Sequence, residues 1–407
     1  MLSVAWPYHL DAMTNPASTY IGDPPSHAEL SELKAIRHHL HQHPELGFKE
    51  VSTAAKVAEL LELWGYTVTR EVGCTGIVGT LRKGTSQRAI MLRADMDALP
   101  MQENTGLPYE SVNAGTMHAC GHDGHTAMLL GGAREIAQKG QFDGTVHVLF
   151  QPAEEVGVNS GAQRMIADGL FDRFPCDAIF GIHNHPGIPV GTFGVRPGPF
   201  MASSDAFFVT VRGKGAHAAR PNQSIDPVLT GCSMVVALQS IVSRNVAPTE
   251  SAVLTVGAFH AGSAPNIIPE TSEFKISVRT FSEDVRNLMV QRVRTVLESQ
   301  AACYGAEVEI VHRPGYPVLI NSQCESELVL DVAAETMGAD HIIQDFPQVT
   351  GSEDFAFYLK ERPGCFIRLG NGTESAPLHN NKYDFNDENL WVGALFWTNL
   401  VRRFLPT

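Results

Sequence analysis

The sequence predicts an α/β protein: a mixed, mostly parallel sheet flanked by helices, with an inserted α+β satellite of ferredoxin-like order. Two observations predict this. Early and late in the chain, short apolar runs typical of buried strands alternate with helical segments. Between them, from residue 199 to 312, the pattern changes to alternating strands and two long helices. A length of 407 residues also favours more than one domain, since domains usually hold about 100–200 residues.

Residues 27–198 and 313–407 are predicted to form the first domain, after an N-terminal extension over 1–26 that we assign no function. A helical pattern follows Ser26 and stops at Pro44, because proline ends helices. The further elements are a helix over 52–66, strands over 66–72, 76–82 and 89–95, a helix over 125–139, strands over 146–152 and 177–183, renewed alternation over 327–338, 354–360 and 365–370, and a closing segment over 388–405.

Residues 199–312 are predicted to form the satellite domain. Its expected elements run in the order strand, helix, strand, strand, helix, strand, which is the ferredoxin-like order. They cover residues 206–213, 226–244, 252–262, 272–281, 284–305 and 306–312.

Composition excludes several classes of function. The formal net charge of −14 repels phosphate backbones and anionic lipids, so we expect no nucleic-acid or membrane partner. No run of 18 apolar residues is present, and the first basic side chain is Lys34, so a secretory signal is not expected. The seven cysteines are scattered, without a CxxC pair, which predicts reduced thiols and a cytoplasmic location.

Cation-binding side chains concentrate in four short stretches near predicted strand ends: residues 93–97 (RADMD), 118–125 (HACGHDGH), 151–155 (QPAEE) and 181–186 (GIHNHP). Open α/β sheets usually place their sites at such ends. Extended backbone would point Cys120 and His122 to the same side, so that both can reach one ion. The adjacent Glu154 and Glu155 can enter one cleft where the chain bends, one binding metal while the other handles a proton.

Each stretch alone also has an ordinary interpretation. Cys120 and His122 would be a buried thiol beside a surface imidazole, and Glu154 with Glu155 a solvated face. Asp95 and Asp97 would cap a turn. The coincidence of four stretches, each following an apolar strand, favours a metal site.

Longer motifs resemble the M20 metallopeptidase and amidohydrolase family, in particular its branch of hippurate hydrolases, N-acyl-amino-acid amidohydrolases and auxin-conjugate hydrolases. The resemblance extends from Glu29 to Phe404. It rests on LHQHPELGF, LRADMDALP, HACGHDGHT, QPAEE, GIHNHPGIPVG, GKGAHAARP, APNIIPE, SVRTF, GSEDF and LHNNKYDFND.

The resemblance implies a hydrolase with two divalent ions per subunit, Zn²⁺ or Mn²⁺, with Co²⁺ or Ni²⁺ as further options. It implies Glu154 as the general base, with Asp97 as a further catalytic candidate. The implied metal ligands are Cys120, His122, Glu155, His183 and His379.

The satellite residues follow from the same resemblance. His217 matches a histidine that reaches a partner's active site in dimeric relatives, which implies a homodimer and a hydrogen bond to the oxyanion. Asn266 and Arg279 resemble residues near the substrate carboxylate. Asn222 and Asn381 replace a histidine and a proline usual in this branch; neither replaces a ligand, so they bear on substrate fit rather than on chemistry.

The expected reaction is hydrolysis of an N-acyl or N-aroyl amino acid to a carboxylic acid and a free amino acid. Three alternatives stay open at the level of sequence. One is a metallo-dipeptidase of the same family, or a hydrolase of a specialised amine conjugate. Another makes Cys120 a nucleophile activated by His122. The third is a binding protein whose ions are structural, against which the spare carboxylate of Glu154 argues.

Overall fold

A computed structural model describes residues 26–407 of the chain. Its contacts divide the chain into two compact units. The first unit consists of the N-terminal part up to Pro197 together with Asn321–Phe346 and Tyr358–Thr407. The second unit holds Gly198–Ile320 and Pro347–Phe357. The boundaries predicted from sequence, 199 and 312, stay a prediction, because compactness alone does not define a folding domain. The predicted extension, apart from Ser26, lies outside the described residues.

The elements follow the apolar patterns of the sequence closely. Within the described residues the helices are α1 (His27–Gln42), α2 (Val51–Leu63), α3 (His122–Gln138), α4 (Gly161–Ala167), α5 (Leu170–Arg173), α6 (Pro227–Asn245), α7 (Glu283–Tyr304), α8 (Gln323–Met337), α9 (Phe355–Glu361) and α10 (Asn389–Phe404). The strands are β1 (Thr67–Val72), β2 (Gly76–Lys83), β3 (Ala89–Asp95), β4 (Gly144–Gln151), β5 (Ala178–His185), β6 (Phe193–Gly194), β7 (Gly198–Met201), β8 (Asp205–Arg212), β9 (Ala216–His217), β10 (Ala252–Ala261), β11 (Ile267–Ile268), β12 (Thr271–Thr280), β13 (Glu307–Pro314), β14 (Leu319–Asn321), β15 (Ile342–Ile343) and β16 (Gly364–Gly370).

The first unit is built on an eight-stranded sheet in the order β1-β2-β4-β3-β5-β16-β6-β15. The pairs β3–β4, β3–β5, β5–β16 and β6–β15 are parallel, and the others are antiparallel. Every residue of β3 and β16 is buried, as expected for strands covered on both faces. The predicted fold class, a mostly parallel sheet flanked by helices, is confirmed.

The register of the central strands brings the segments that follow β3 and β4 close together. Asp95, the last residue of β3, is the partner of Gln151, the last residue of β4. The Met96 N–H then donates to the Gln151 carbonyl at 2.9 Å. Because β3 and β4 are parallel and end at the same level, the segments that follow them leave the sheet side by side.

Helices α3 and α10 pack together in the hydrophobic core of this unit. Both are buried over most of their length, and Trp397 of α10 is 1% exposed. Gly132 of α3 lets them approach, since a Cβ there would lie 2.8 Å from Cβ of Trp397. The start of α3, which carries His122, is therefore fixed by a long buried helix.

The second unit holds a four-stranded antiparallel sheet in the order β10-β12-β8-β13. The chain order β8-α6-β10-β12-α7-β13 with this strand order is the ferredoxin-like arrangement. The core lies between the sheet and the two helices, and it includes Phe207, Met234, Phe274, Met289 and Leu297.

Helix α6 is the one helix among residues 26–407 that is long and apolar enough to cross a membrane by length and composition. Only 33% of its apolar window is buried within the protein. Core helices of soluble proteins pass the same test, so this property is weak evidence for a membrane span. Its exposed side chains include Leu229 and Val236, which are 55% and 73% exposed.

Candidate metal centre

The centre begins at the N-terminus of α3. Gly121, the N-cap residue, is left-handed with φ 89° and ψ 16°, and His122 is the first helical residue. The prediction that extended backbone aligns Cys120 and His122 is therefore wrong: a left-handed glycine followed by a helix brings them together. A side chain at Gly121 would collide with the amide of Asn184, so the turn requires glycine.

His183 faces this turn from β5. Its Nε2 lies 3.4 Å from Sγ of Cys120, and its Nδ1 donates to the Asn184 carbonyl at 2.7 Å. The Nδ1 proton leaves Nε2 as the unprotonated nitrogen, the form that binds metal. His183 was expected to end its strand, but β5 continues to His185. The position inside a buried strand makes this imidazole more rigid than a strand-end residue would be.

Glu154 and Glu155 follow β4 after a sharp bend. Ala153 is left-handed with φ 50°, which ends the regular alternation of side chains. The Glu155 N–H donates to Oδ2 of Asp97 at 2.9 Å, so the segment after β3 holds the segment after β4. Oxygen atoms of both glutamates lie within 4.8 Å of each other and of a ring nitrogen of His122.

His379 comes from the loop before α10. It is left-handed with φ 60°, and its N–H donates to the Ala119 carbonyl at 2.8 Å. This bond fixes the loop beside Cys120. Nε2 of His379 lies 3.1 Å from Oε1 of Glu155, and its side chain is 53% exposed.

The donors form two overlapping groups that share one sulfur. Cys120, His122 and His183 have ligand atoms within 4.8 Å of one another, and so do Cys120, Glu155 and His379. Thiolate, imidazole and carboxylate are the ligands that Zn²⁺ and related divalent ions prefer. Nε2 of His122 is buried and has no hydrogen-bond partner in the described part of the chain. The donor set and this nitrogen fit two divalent cations sharing Cys120.

A buried layer of polar contacts orients the imidazoles. Nδ1 of His122 donates to the Asp97 carbonyl at 2.9 Å and lies 3.2 Å from its Oδ1, which directs Nε2 into the centre. Behind it, Nδ1 of His125 lies 2.7 Å from Oδ1 of Asp95, and Arg93 donates to Oδ2 of Asp95 at 2.7 Å. Such contacts fix tautomers and ring orientation. Asp97 therefore touches a proposed ligand rather than a reacting atom, and we assign it a positioning role.

Sequence reasoning missed most of this layer. His125 and Asn184 lie inside the stretches 118–125 and 181–186, yet no spacing rule distinguishes them from ligands. The Asn184 amide donates to the Cys120 carbonyl at 2.7 Å and accepts from the Tyr383 hydroxyl at 2.7 Å. The only signal in the sequence was an asparagine directly after His183.

The electrostatic environment differs among the side chains of the centre. Hydrogen bonds with Cys120 and Glu155 raise the pKa of His379 to about 10. Burial lowers the pKa of His122, but the Asp95 carboxylate, Cys120 and the hydrogen bond to Asp97 together outweigh burial and hold that pKa well above its usual value. Burial, followed by the charge of Glu155, raises the pKa of the Cys120 thiol. A bound cation would release the thiol proton, because coordination requires the thiolate.

The remaining predicted residues belong to the second unit. His217 is exposed in β9, and its Nδ1 accepts from the Ala219 N–H at 3.1 Å. The Asn266 carbonyl accepts from the Ala218 N–H at 3.0 Å, so Asn266 lies next to the His217 turn. Arg279, in β12, donates to the Ser352 hydroxyl at 2.9 Å. Asn222 lies in a short exposed 3₁₀ turn.

The mostly parallel α/β sheet and the clustered thiol, imidazole and carboxylate donors are those of a metal-dependent hydrolase. Residues 91–403 match the sequence profile of Peptidase family M20/M25/M40. The chain belongs to this family.

Individual relatives agree over nearly the full length. The chain is 42% identical to a hippurate hydrolase of Campylobacter jejuni, over 92% of this chain and 97% of that protein. It is 44% identical to an N-acetyl-L-cysteine deacetylase of Bacillus subtilis, over 92% and 89%. Among solved structures, a dinuclear metal-binding peptidase of the M20 family from Bacillus subtilis superposes with a TM-score of 0.80 at 34% identity, over 92% of this chain and 98% of that one.

Proposed function

We propose that this protein hydrolyses the amide bond of N-acyl or N-aroyl amino acids. It is an amide-cleaving, metal-dependent enzyme of its family, and its relatives include a hippurate hydrolase and an N-acetylcysteine deacetylase. The observation that carries the proposal is the position of Glu154. Its carboxylate is buried beside the donor groups, but it belongs to neither of the two groups that share Cys120.

In this proposal Cys120, His122, Glu155, His183 and His379 would hold the divalent ions. Divalent cations in such a site supply Lewis acidity toward the amide carbonyl and toward water. Zn²⁺ or Mn²⁺ is the proposed metal, with Co²⁺ or Ni²⁺ as substitutes, because the donor set combines soft sulfur with nitrogen and oxygen.

Glu154 would accept a proton from the attacking water and return it to the departing amine. Its carboxylate is 6% exposed, so competing bulk water is largely excluded. The bend at Ala153 and the bond from the Glu155 N–H to Asp97 fix the backbone on both sides of Glu154. General acid–base transfer of this kind contributes about 10² to 10⁴ in rate.

The second unit would supply groups for the rest of the substrate. Because Nδ1 of His217 accepts a hydrogen bond, its proton is on Nε2, which is free to donate to an oxyanion. Arg279 offers a guanidinium to a substrate carboxylate, and Asn266 an amide.

A homodimer through the second unit is the proposed assembly. Strand β10 is at the edge of the four-stranded sheet, and it carries Val253, which is 40% exposed. The neighbouring helix α6 exposes Leu229 and Val236. An edge strand beside exposed apolar side chains is suited to pairing with a second copy. Light scattering at several concentrations tests this, and a monomer at all of them would contradict it.

A cytoplasmic location is proposed because a reduced thiol is needed at Cys120. All seven cysteines are free thiols. Fractionation of cells expressing the protein would test this.

The decisive test of function is a substrate panel. Metal-loaded enzyme is offered hippurate, N-acetyl amino acids and free dipeptides, and release of the amino acid is followed. Turnover of the acylated compounds is expected. Preference for free dipeptides would instead support the dipeptidase alternative, since a dipeptide brings an α-ammonium group that must be bound.

Chelation separates the metal mechanism from a thiol nucleophile. Complete removal of metal is expected to abolish turnover, and added Mn²⁺, Zn²⁺ or Co²⁺ to restore it. Turnover that persists without metal would favour Cys120 as nucleophile.

A further inference from the structure

Glu50, at the start of α2, is a buried carboxylate outside the donor groups. It is 0% exposed, and its two oxygens accept from different partners. Oε2 accepts from the Thr75 hydroxyl at 2.6 Å, and Oε1 accepts from the Ala153 N–H at 2.8 Å. Neither donor carries a charge, so no ion pair explains the burial of this carboxylate.

Helix capping does not explain Glu50 either. Although it is the N-cap residue of α2, its side chain makes no cap hydrogen bond. That role belongs to Glu45, which accepts from the Ser52 N–H at 3.1 Å and from the Thr53 N–H at 2.8 Å. The carboxylate of Glu50 is thus directed away from its own helix, to a loop about one hundred residues further along the chain.

The target of that contact is the bend that carries Glu154. Ala153 has φ 50°, a conformation that costs a non-glycine residue on the order of 1 kcal/mol and persists only when its surroundings enforce it. The Ala153 carbonyl accepts from the Gly161 N–H at 3.0 Å, while its N–H is held by Glu50. Gly47, three residues before Glu50, packs against the same bend, where a Cβ would lie 3.0 Å from Cβ of Ala153.

We propose that Glu50 is a positioning residue for the reaction: by holding the Ala153 N–H it fixes the left-handed bend and so aims the Glu154 carboxylate. The proposal rests on the proposed function, in which Glu154 moves the proton. Its own prediction is that losing the acceptor at position 50 lowers kcat while leaving KM and metal content in place, because no ligand and no substrate contact is removed.

Three variants of the full-length, metal-loaded protein test this. Glu50→Met keeps the volume but loses the acceptor, and we expect kcat to fall about 10- to 100-fold, as for a catalytic group displaced by about 1 Å. Glu50→Gln keeps an amide oxygen for the Ala153 N–H and is expected to retain kcat within a few-fold. Glu45→Ala removes the cap of α2 without touching Ala153, and is expected to lower stability but not kcat.

A second measurement does not need turnover. Hydrogen exchange of the Ala153 amide, resolved by fragmentation mass spectrometry, is expected to be faster in Glu50→Met and near wild type in Glu50→Gln and Glu45→Ala. A wild-type enzyme that cleaves nothing on the substrate panel would refute the proposed function, whereas the exchange result still decides whether Glu50 holds the bend.

Several outcomes overturn the proposal: unchanged Ala153 exchange in Glu50→Met, unchanged kcat in that variant, or an equal loss in Glu45→Ala. If Glu50→Met does not fold, Glu50→Asp takes its place. Its carboxylate is one methylene too short to keep the bond to Ala153, so it is expected to show the same fast exchange and lower kcat; wild-type values would refute the inference.

Discussion

The residues that we propose as metal ligands fall into two groups, which differ in how they are held. Cys120, His122 and His183, the buried group, lie on a helix start and inside a strand, and each is at most 6% exposed. Glu155 and His379, the loop group, lie on irregular segments. Glu155 follows the left-handed Ala153 by two residues, His379 is itself left-handed, and the side chain of His379 is 53% exposed. One side of the centre is part of the core, and the other is assembled from loops.

This difference shows where rigidity comes from in each group. The imidazoles of the buried group have their second nitrogen committed to backbone carbonyls, at Asp97 and Asn184. The loop group depends on long-range contacts to its backbone: the Glu155 N–H donates to Asp97, and the His379 N–H donates to the Ala119 carbonyl. Substitutions in the two regions should therefore affect stability, metal binding and turnover differently.

The largest expected effect is the loss of turnover when Glu154, which lies between the two groups, is substituted. Glu154→Gln removes the proton acceptor but keeps the shape, so kcat should fall about 10² to 10⁴-fold with both ions retained. Steady-state kinetics with metal analysis by mass spectrometry measures this. A variant that keeps metal and full turnover would favour a binding protein with structural ions.

The pH dependence of stability tests the burial of Glu50 beside the Ala153 bend. Burial raises the pKa of Glu50 to about 7 from an ordinary value of 4.5, so folded protein prefers the protonated acid. The contribution of Glu50 to the free energy of unfolding is therefore fully present below about pH 4.5. It is lost as pH rises through about 7, because the unfolded chain ionises this group more readily than the folded protein does. Glu50→Gln should abolish that loss. Relative to wild type, its free energy of unfolding should rise by about 2–3 kcal/mol between about pH 5 and pH 8. Urea unfolding at both pH values measures it; parallel curves for the two proteins would contradict the assignment.

Asp97 links both groups, since it contacts Nδ1 of His122 and the Glu155 N–H. Asp97→Asn keeps the size but weakens both contacts, and we expect metal affinity or turnover to fall about 10- to 100-fold. Titration of metal-free protein followed by calorimetry gives the affinity. The conservative control Asp97→Glu should not restore it, because a longer side chain cannot keep both distances.

The smallest expected effect is on stability, and it compares the loop group with the buried group directly. In metal-free protein, His379→Ala should change the free energy of unfolding by less than about 0.5 kcal/mol, because its side chain is half exposed. His183→Ala removes a buried ring and should cost more than about 1 kcal/mol. Denaturant unfolding after chelation compares them. Equal costs would show that the loop group is as much a part of the core as the buried group.

More of the buried group than of the loop group could be predicted from the sequence. Cys120 and His122 lie two residues apart, so a short motif was enough to pair them, even though the predicted extended backbone proved to be a left-handed glycine before a helix. His379 could be found only through family resemblance, because no local pattern connects it with Glu155. The contact from Glu50 to Ala153 joins helix α2 to the end of β4, and tertiary packing alone creates it.

The shared sulfur has a practical consequence. Cys120 belongs to both sets of three donors that we propose as cation sites. A single oxidation of its sulfur to the sulfenic or sulfinic acid is therefore expected to disable both sites in one event. Peroxide treatment of metal-free protein should therefore abolish its reactivation by added metal in a single step, and preloading with Zn²⁺ should protect the Cys120 sulfur. Purification under reducing conditions, with metal added early, preserves the enzyme.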